Sequence, residues 1–407
     1  MGYLSKAVFG VGWIGMFRLV TRSIAFLRTI VLARILSPSQ FGIFGIASLI
    51  ITLLEILFET GVNVVLIQKK EKIDSYLDTA WAVSIARGAI ISFILILIAP
   101  FVANFFGVYE SQRLIYLVSI VSLIRGFINP SIVRFQKELR FQMEFWFKFF
   151  VFAFDSLVAI TVSFVLLSSE GIVWGLIAGA LLEVIISFLF VKPRPRLNLE
   201  ITKLKEIISK GKWVNLSGIF QFLFRQGDDI VVGRILGESN LGIYQVAYKI
   251  SSMPISEVTD VVNKVVFPVY VKIAGDRIRL KKAFLKTTLF VVFGAFVIGV
   301  LLFIFGEPIV RFLLGEPWLE AVPLIKILII YGIVQALINS VNSLFLAFGK
   351  QIYITLITFI SFVGLAISIF PLVFFYGLRG AAAAPLIGSF LGLPFMIYFL
   401  NKVFVKK

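Results

Sequence analysis

The chain has 407 residues, 59% of them hydrophobic, with a mean hydropathy of +1.01 and a formal net charge of +17. That composition leaves too little polar surface to coat a water-soluble globule and points to a polytopic membrane protein. With no cysteine and no histidine, the chain excludes disulfides, thiol chemistry, His-ligated zinc or haem and imidazole proton relays, so any proton carrier has to be a carboxylate.

A hydrocarbon core of about 30 Å needs ~20 apolar residues per helix. On that length the sequence predicts an all-α membrane protein with twelve spans, at 8–35, 41–67, 77–105, 113–134, 143–168, 171–191, 210–236, 241–270, 284–305, 321–347, 352–376 and 379–401. The first run is long, studded with arginine and without a small-residue cleavage site, so it is expected to stay as the first helix. Outer connections are short, SPSQ at 37–40 and ESN at 238–240 among them, and the longest, 306–320, offers no room for an extracytoplasmic domain.

Loop charge sets the expected orientation. With the N-terminus inside, the inner segments carry Lys69, Lys70 and Lys72, then Arg134, Lys137 and Arg140, then Lys192 to Lys212, Lys272 to Lys286, and Lys402, Lys406 and Lys407. The outer loops carry little beyond Arg113 and Arg311, with Arg34, Arg234 and Arg379 at helix mouths. Both termini are therefore expected to be cytoplasmic in the inner membrane, and the basicity reports topology and no nucleic-acid partner.

The chain also reads as one half written twice. IVLARILSPSQFGIF at 30–44 and IVVGRILGESNLGIY at 230–244 share eight of fifteen residues. Val62, Asn63 and Val65 answer Val262, Asn263 and Val265; APFVANFFG at 99–107 answers EPIVRFLLG at 307–315; Ile128 and Asn129 answer Ile338 and Asn339. Six spans per half predict two six-helix lobes related by a pseudo-two-fold axis along the membrane normal, 1–191 and 210–407. They are joined by a cytoplasmic amphipathic linker at 192–209, in which Leu197, Ile201, Leu204 and Ile208 form a stripe opposite Lys203, Glu206 and Lys210. Pro130, Pro254, Pro268 and Pro371 interrupt spans as hinges or as packing kinks.

Charges within spans need partners or a wet cavity, because a lone one costs about 2.5–3.5 kcal/mol on insertion scales. Arg18, Arg22 and Arg28 share a face of the first helix, since 100° per residue puts the last within about 80° of the first. Glu55 and Glu59 share a stripe of the second with Ser48 and Thr52, and the antiparallel run sets Glu55 near the depth of Arg22. Interhelical ion pairs would explain these residues without a substrate. Three arginines still exceed two glutamates, and Arg87 and Arg125 add to them, so the first lobe is expected to present positive charge inward. In the second lobe Gln221, Arg225, Asp228 and Asp229 form one face, where Arg225 can pair within its helix. Lys249, Ser252, Ser256, Asp260 and Asn263 form a polar seam on the next helix, which either lines water or bonds to its neighbour.

The runs GVNVVLIQKKE (61–71), FQKELRF (135–141), KPRPRL (192–197), DDIVVGRILG (228–237) and VFPVY (266–270) together resemble the Wzx-like polysaccharide repeat-unit flippases, in a superfamily with multidrug extruders and lipid II flippases. The resemblance covers nearly the whole chain. It implies two V-shaped six-helix lobes that move a polyprenyl-diphosphate-linked oligosaccharide from inner to outer leaflet by alternating access. It also implies an arginine-lined cavity on the first helices, a role that falls at helix level on Arg18, Arg22 and Arg28. Many members have fourteen helices, against twelve expected here.

On this reading Arg18, Arg22, Arg28, Arg87, Arg125, Gln221, Arg225, Lys249 and Asn263 are the candidate substrate contacts. Glu55, Glu59, Asp228, Asp229 and Asp260 are the candidate coupling groups for Na+ or H+, with no catalytic residue, resident metal or cofactor. No GxxxxGK[ST] motif occurs, so energy is expected from an ion gradient or the membrane potential. Membrane lipids, and a polysaccharide polymerase or glycosyltransferase, are the expected partners. The rivals are a drug extruder of the same fold and, from another class, a membrane glycosyltransferase or polymerase, which would need catalytic acids in a sizeable outer loop.

Overall fold

The computed structural model describes residues 20–63, 66 and 73–405, among which there is no strand, with the side chains of 206, 208–217, 220, 221, 264, 265 and 405 also outside the description. The chain forms two compact units that divide between Phe222 and Leu223. Among the described helices seven are long and apolar enough to cross a membrane, or eight if one bent pair counts as a single span.

Unit 1 contains α1 (20–35), α2 (Pro38–Leu57), α3 (Asp74–Phe106), α4 (Glu110–Gly126), α5 (Val133–Lys137), α6 (Phe141–Leu166) and α7 (Glu170–Phe190). Ser37 caps α2 by accepting from Gln40 N, and Pro38 occupies a first-turn position where no backbone donor is needed. The second predicted span, 41–67, is shorter in the structure: α2 stops at Leu57, and Gly61 takes a positive φ of 69°. The fourth, 113–134, is broken. After Gly126 the chain turns by 68° into Pro130–Lys137, because the Asn129 side chain accepts from Ser131 N and starts a new 3-10 turn at Pro130.

Between helices in lipid there is no hydrophobic driving force, so close approach through small residues has to hold a bundle together. The α6–α7 pair shows how. Gly171, Gly175 and Gly179 repeat every fourth residue along α7, and a Cβ at Gly175 would lie 2.5 Å from Ala159 Cβ and 2.6 Å from the Asp155 carbonyl of α6. Large apolar side chains of the same two helices point outward instead, with Phe150, Phe164, Val165, Ile185 and Leu189 all exposed.

The segment expected to be a separate amphipathic linker is irregular over 192–200 and then enters α8 (Ile201–Leu236), which continues without a break through the position where a new span was predicted. Its start is docked on unit 1. Arg196 N donates to Asp78 Oδ1, Glu200 N to Thr79 Oγ1 and Lys203 Nζ to the Ser75 carbonyl. Ile207 is fully buried with Leu66, Ile73, Leu77 and Val133. Of the predicted stripe, Leu204 packs partly buried against this core and Leu197 and Ile201 stay exposed, while the side chain of Ile208 lies outside the description.

Unit 2 contains α9 (Glu238–Ile273), α10 (Arg277–Leu313), α11 (Ala321–Ala347) and α12 (Gln351–Val405). The helix α9 packs along α11, and Ile255, Val291, Ala295 and Ala336 form one core while Tyr270, Phe284, Phe345 and Met396 belong to another. Pro254 and Pro268 lie inside α9 without interrupting it. The break in α12 comes at Gly377 (φ 57°), not at Pro371. Its two arms fold back on each other, with Gly388 against Ser361 and Tyr353 stacked on Phe399 at 4.3 Å. Gly107 and Gly315, which answer each other in the sequence repeat, both hold positive φ just past the ends of α3 and α10.

Candidate ligand cavity and buried polar network

Unit 1 encloses a cavity of about 620 Å³ lined by residues of α2, α3, α4, α6 and α7. Its charged residues come from five helices. Arg87 of α3 donates to the Glu55 carbonyl at 2.7 Å and pairs with Glu59 at 3.2 Å. Arg125 of α4 meets Glu55 at 3.4 Å, with side chains 42% and 35% exposed. On α6, Lys148 pairs with Glu144 one turn away, and Gln136 also donates to Glu144, at 2.7 Å. Glu183 of α7 lies within electrostatic reach of Arg125 and Lys148.

The cavity also contains hydrogen-bonding groups that the described residues leave unmatched. Ser122 is 4% exposed and its Oγ has no partner, and neither has Arg87 Nε. Buried polar atoms are normally satisfied, and these two lie behind the cavity surface, closed off from solvent.

Arg28 sits apart from this set. It forms a 2.8 Å ion pair with Asp155 of α6, with side chains only 12% and 10% exposed. Asp155 fits because Gly175 and Gly179 leave room opposite it. Arg22 is exposed, and Arg18 lies outside the described residues. The expectation of a positive interior needs correction. Arg87, Arg125 and Lys148 share the cavity with Glu55, Glu59, Glu144 and Glu183, so its described lining holds one more carboxylate than cation, and Asp155 takes up the charge of Arg28. The predicted Arg87, Arg125, Glu55 and Glu59 do come together. Glu144, Lys148, Asp155 and Glu183 were missed, although a lone carboxylate in an apolar span, as at Asp155 or Glu183, is itself a signal.

In unit 2, Asp228 is 3% exposed and accepts from Tyr244 Oη at 2.6 Å and from Asp229 N at 3.0 Å. Asp229 accepts from Gln245 at 3.3 Å, and Tyr248 Oη lies 3.2 Å from Tyr331 Oη. Arg225, expected to pair within its helix, is exposed and has no ion pair with either aspartate. The closer partner is a phenol one helix away, because α9 packs Tyr244 over Asp228. Along the seam on α9, Lys249, Ser256 and Asp260 are exposed, and Asn263 donates to the Asn339 carbonyl at 3.3 Å. The side chain of Gln221 lies outside the description.

The fold is that of known transporters. The chain superposes on the lipid II flippase MurJ in an inward closed conformation with a TM-score of 0.77, at 15% identity, covering 96% of this chain and 88% of that one. It also superposes on an inward-facing multidrug resistance MATE family transporter of the MOP superfamily with a TM-score of 0.71, at 13% identity and 96% and 98% coverage. The polysaccharide biosynthesis protein family model matches residues 31–323, and the chain belongs to that family. Among its relatives, the teichuronic acid biosynthesis protein TuaB of Bacillus subtilis is 26% identical, over 73% of this chain and 62% of its own length. The lipopolysaccharide biosynthesis protein WzxC of Escherichia coli is 23% identical over 85% and 71%. The chain therefore spans less than two thirds of TuaB. It is a multi-pass membrane protein.

Proposed function

We propose that this protein is a secondary transporter, not an enzyme: a flippase that moves a polyprenyl-diphosphate-linked oligosaccharide repeat unit from the inner to the outer leaflet by alternating access. The observation that carries the reading is the cavity of unit 1, where three cations are held inside an apolar bundle, Arg87 and Arg125 by carboxylates from outside their own helices and Lys148 by Glu144 one turn away. A diphosphate diester carries two negative charges where each glutamate carries one. It can take Arg87 and Arg125 from Glu55 and Glu59 at little cost, because partly exposed ion pairs hold their partners weakly. Family membership supports a polysaccharide precursor as the substrate class.

The reading includes twelve spans in two six-helix lobes, with both termini in the cytoplasm of an inner membrane. Two features support the count. The 54 residues of Gln351–Phe404 measure about 80 Å at 1.5 Å per residue, too long for one crossing, and they fold back at Gly377. Both α8 and α9 have the length of a span although they carry more charge. Arg18 and Arg22 extend the proposed diphosphate contacts, while Gln221, Arg225, Lys249 and Asn263 are proposed to meet the glycan. Asp228, Asp229 and Asp260, with Glu55 and Glu59, remain the proposed Na+ or H+ carriers. Membrane lipids and a polymerase or glycosyltransferase complete the proposed partners.

A second reading, extrusion of organic cations, is favoured by the excess carboxylate in the cavity. Proteoliposomes separate the two. Flipping of a labelled polyprenyl-diphosphate oligosaccharide, made visible by a membrane-impermeant lectin, is expected with this protein and not with empty vesicles. Transport of a fluorescent organic cation with no glycan flipping would replace the first reading by the second.

A further inference from the structure

We propose that unit 1 has a second site, at the end of α7, that binds the phosphate headgroup of an acidic phospholipid. A cavity of about 540 Å³ there is lined by Asp74, Arg134, Lys192, Pro193 and Arg194. Three cations surround one carboxylate. Arg134 Nη2 engages Asp74, which leaves that carboxylate occupied, while Arg134 Nε is buried with no hydrogen-bond partner. Arg194 donates from Nε to the Phe188 carbonyl at 2.9 Å, and no carboxylate pairs with Arg194 or Lys192 among the described residues.

The loop that carries these cations is fixed by the protein. Asn129 Nδ2 reaches the carbonyls of Val191 and Pro193 at 3.2 and 3.3 Å, Ser131 Oγ donates to the Pro193 carbonyl at 2.8 Å, and Arg196 N is held by Asp78. On both sides of it in sequence the chain exposes large apolar residues, with Phe190 78% exposed and Leu189, Leu197 and Ile201 also exposed. A soluble anion would use only the cations, and an acyl chain alone only the apolar flank. An acidic phospholipid uses both. Basic residues at helix ends follow from inner-loop charge bias, but that bias does not require a pinned loop or a donor left unpaired beside a cavity. The site is independent of what the protein transports.

The test is native mass spectrometry of the full chain released from vesicles of equimolar phosphatidylglycerol and phosphatidylcholine with matched acyl chains. Two surface cations are expected to enrich the acidic lipid about thirtyfold among bound lipids. The double variant Lys192→Gln with Arg194→Gln should bring the ratio to about one while melting at the wild-type temperature in phosphatidylcholine. Parity in the wild type, or undiminished enrichment in the double variant, overturns the proposal. Thermal shift with inorganic phosphate is the third arm: stabilisation as large as that given by phosphatidylglycerol would make this a free-anion site and overturn the lipid assignment. Should the double variant not purify, Lys192→Gln alone is expected to lower the enrichment and the charge-keeping Lys192→Arg to retain it. Equal enrichment in those two variants overturns the proposal as well.

Discussion

In unit 1, Arg87 reaches Glu59 just past the end of α2 at 3.2 Å and Arg125 reaches Glu55 of α2 at 3.4 Å, from side chains that remain 26% and 42% exposed. In unit 2, Asp228 is 3% exposed, and its carboxylate is held by a phenol at 2.6 Å and a backbone amide at 3.0 Å. The first arrangement is open, made of full charges, and carries unmatched donors. The second is closed and largely satisfied. Exposed pairs cost little to exchange, whereas a buried carboxylate with short hydrogen bonds is costly to disturb. On the proposed reading the unit 1 pairs are the ones a diphosphate would take, and an ion carried at Asp228 would have to compete with the Tyr244 hydrogen bond. Arg28 and Asp155 carry the unit 2 pattern into unit 1, as a buried pair beside an open cavity.

The largest effect should come from that pair. Removing one partner of a buried ion pair costs about 3–5 kcal/mol, so Asp155→Ala should sharply lower the melting temperature in detergent. The double variant Arg28→Ala with Asp155→Ala should recover part of the loss. An Asp155→Ala protein as stable as wild type would place Arg28 among the exchangeable cations instead. Next is Tyr244→Phe, which leaves Asp228 Oδ2 without its donor and should cost about 1–3 kcal/mol; an unchanged melting curve would remove the closed network from the comparison. The smallest stability effect is expected for Glu55→Gln, about 1 kcal/mol or less, because its pair with Arg125 is partly exposed. A loss equal to that of Asp155→Ala would erase the distinction between the two kinds of pair.

Much of this was legible in the sequence because apolar runs of membrane length and loop charges are long-range signals. The predicted 77–105 and 321–347 lie close to α3 and α11. What failed was local. Asn129 turns the chain at Pro130 through side-chain hydrogen bonds that no hydropathy profile registers. The linker's stripe was visible, but helical spacing did not show that Ile207, beside the stripe, packs against α3. At the site, helical spacing found Glu55 and Glu59 together, yet it compares residues only within one helix. It therefore gave Arg225 to Asp228, where packing supplies Tyr244 from α9. The same restriction hid the Arg28 pair with Asp155, while Glu144 and Glu183, not singled out in the sequence, leave the described unit 1 lining with one more carboxylate than cation.

The most direct test of the central claim measures flipping and stability together for Arg125→Ala in proteoliposomes, using a labelled polyprenyl-diphosphate oligosaccharide. Because the pair with Glu55 is partly exposed, the melting temperature should stay near wild type. The flipping rate should fall about tenfold or more, the scale of one lost charge-assisted contact, and Arg125→Lys should restore part of it. Wild-type flipping by a stable Arg125→Ala protein would contradict the account, as would lost stability and lost flipping that Glu55→Ala restores together.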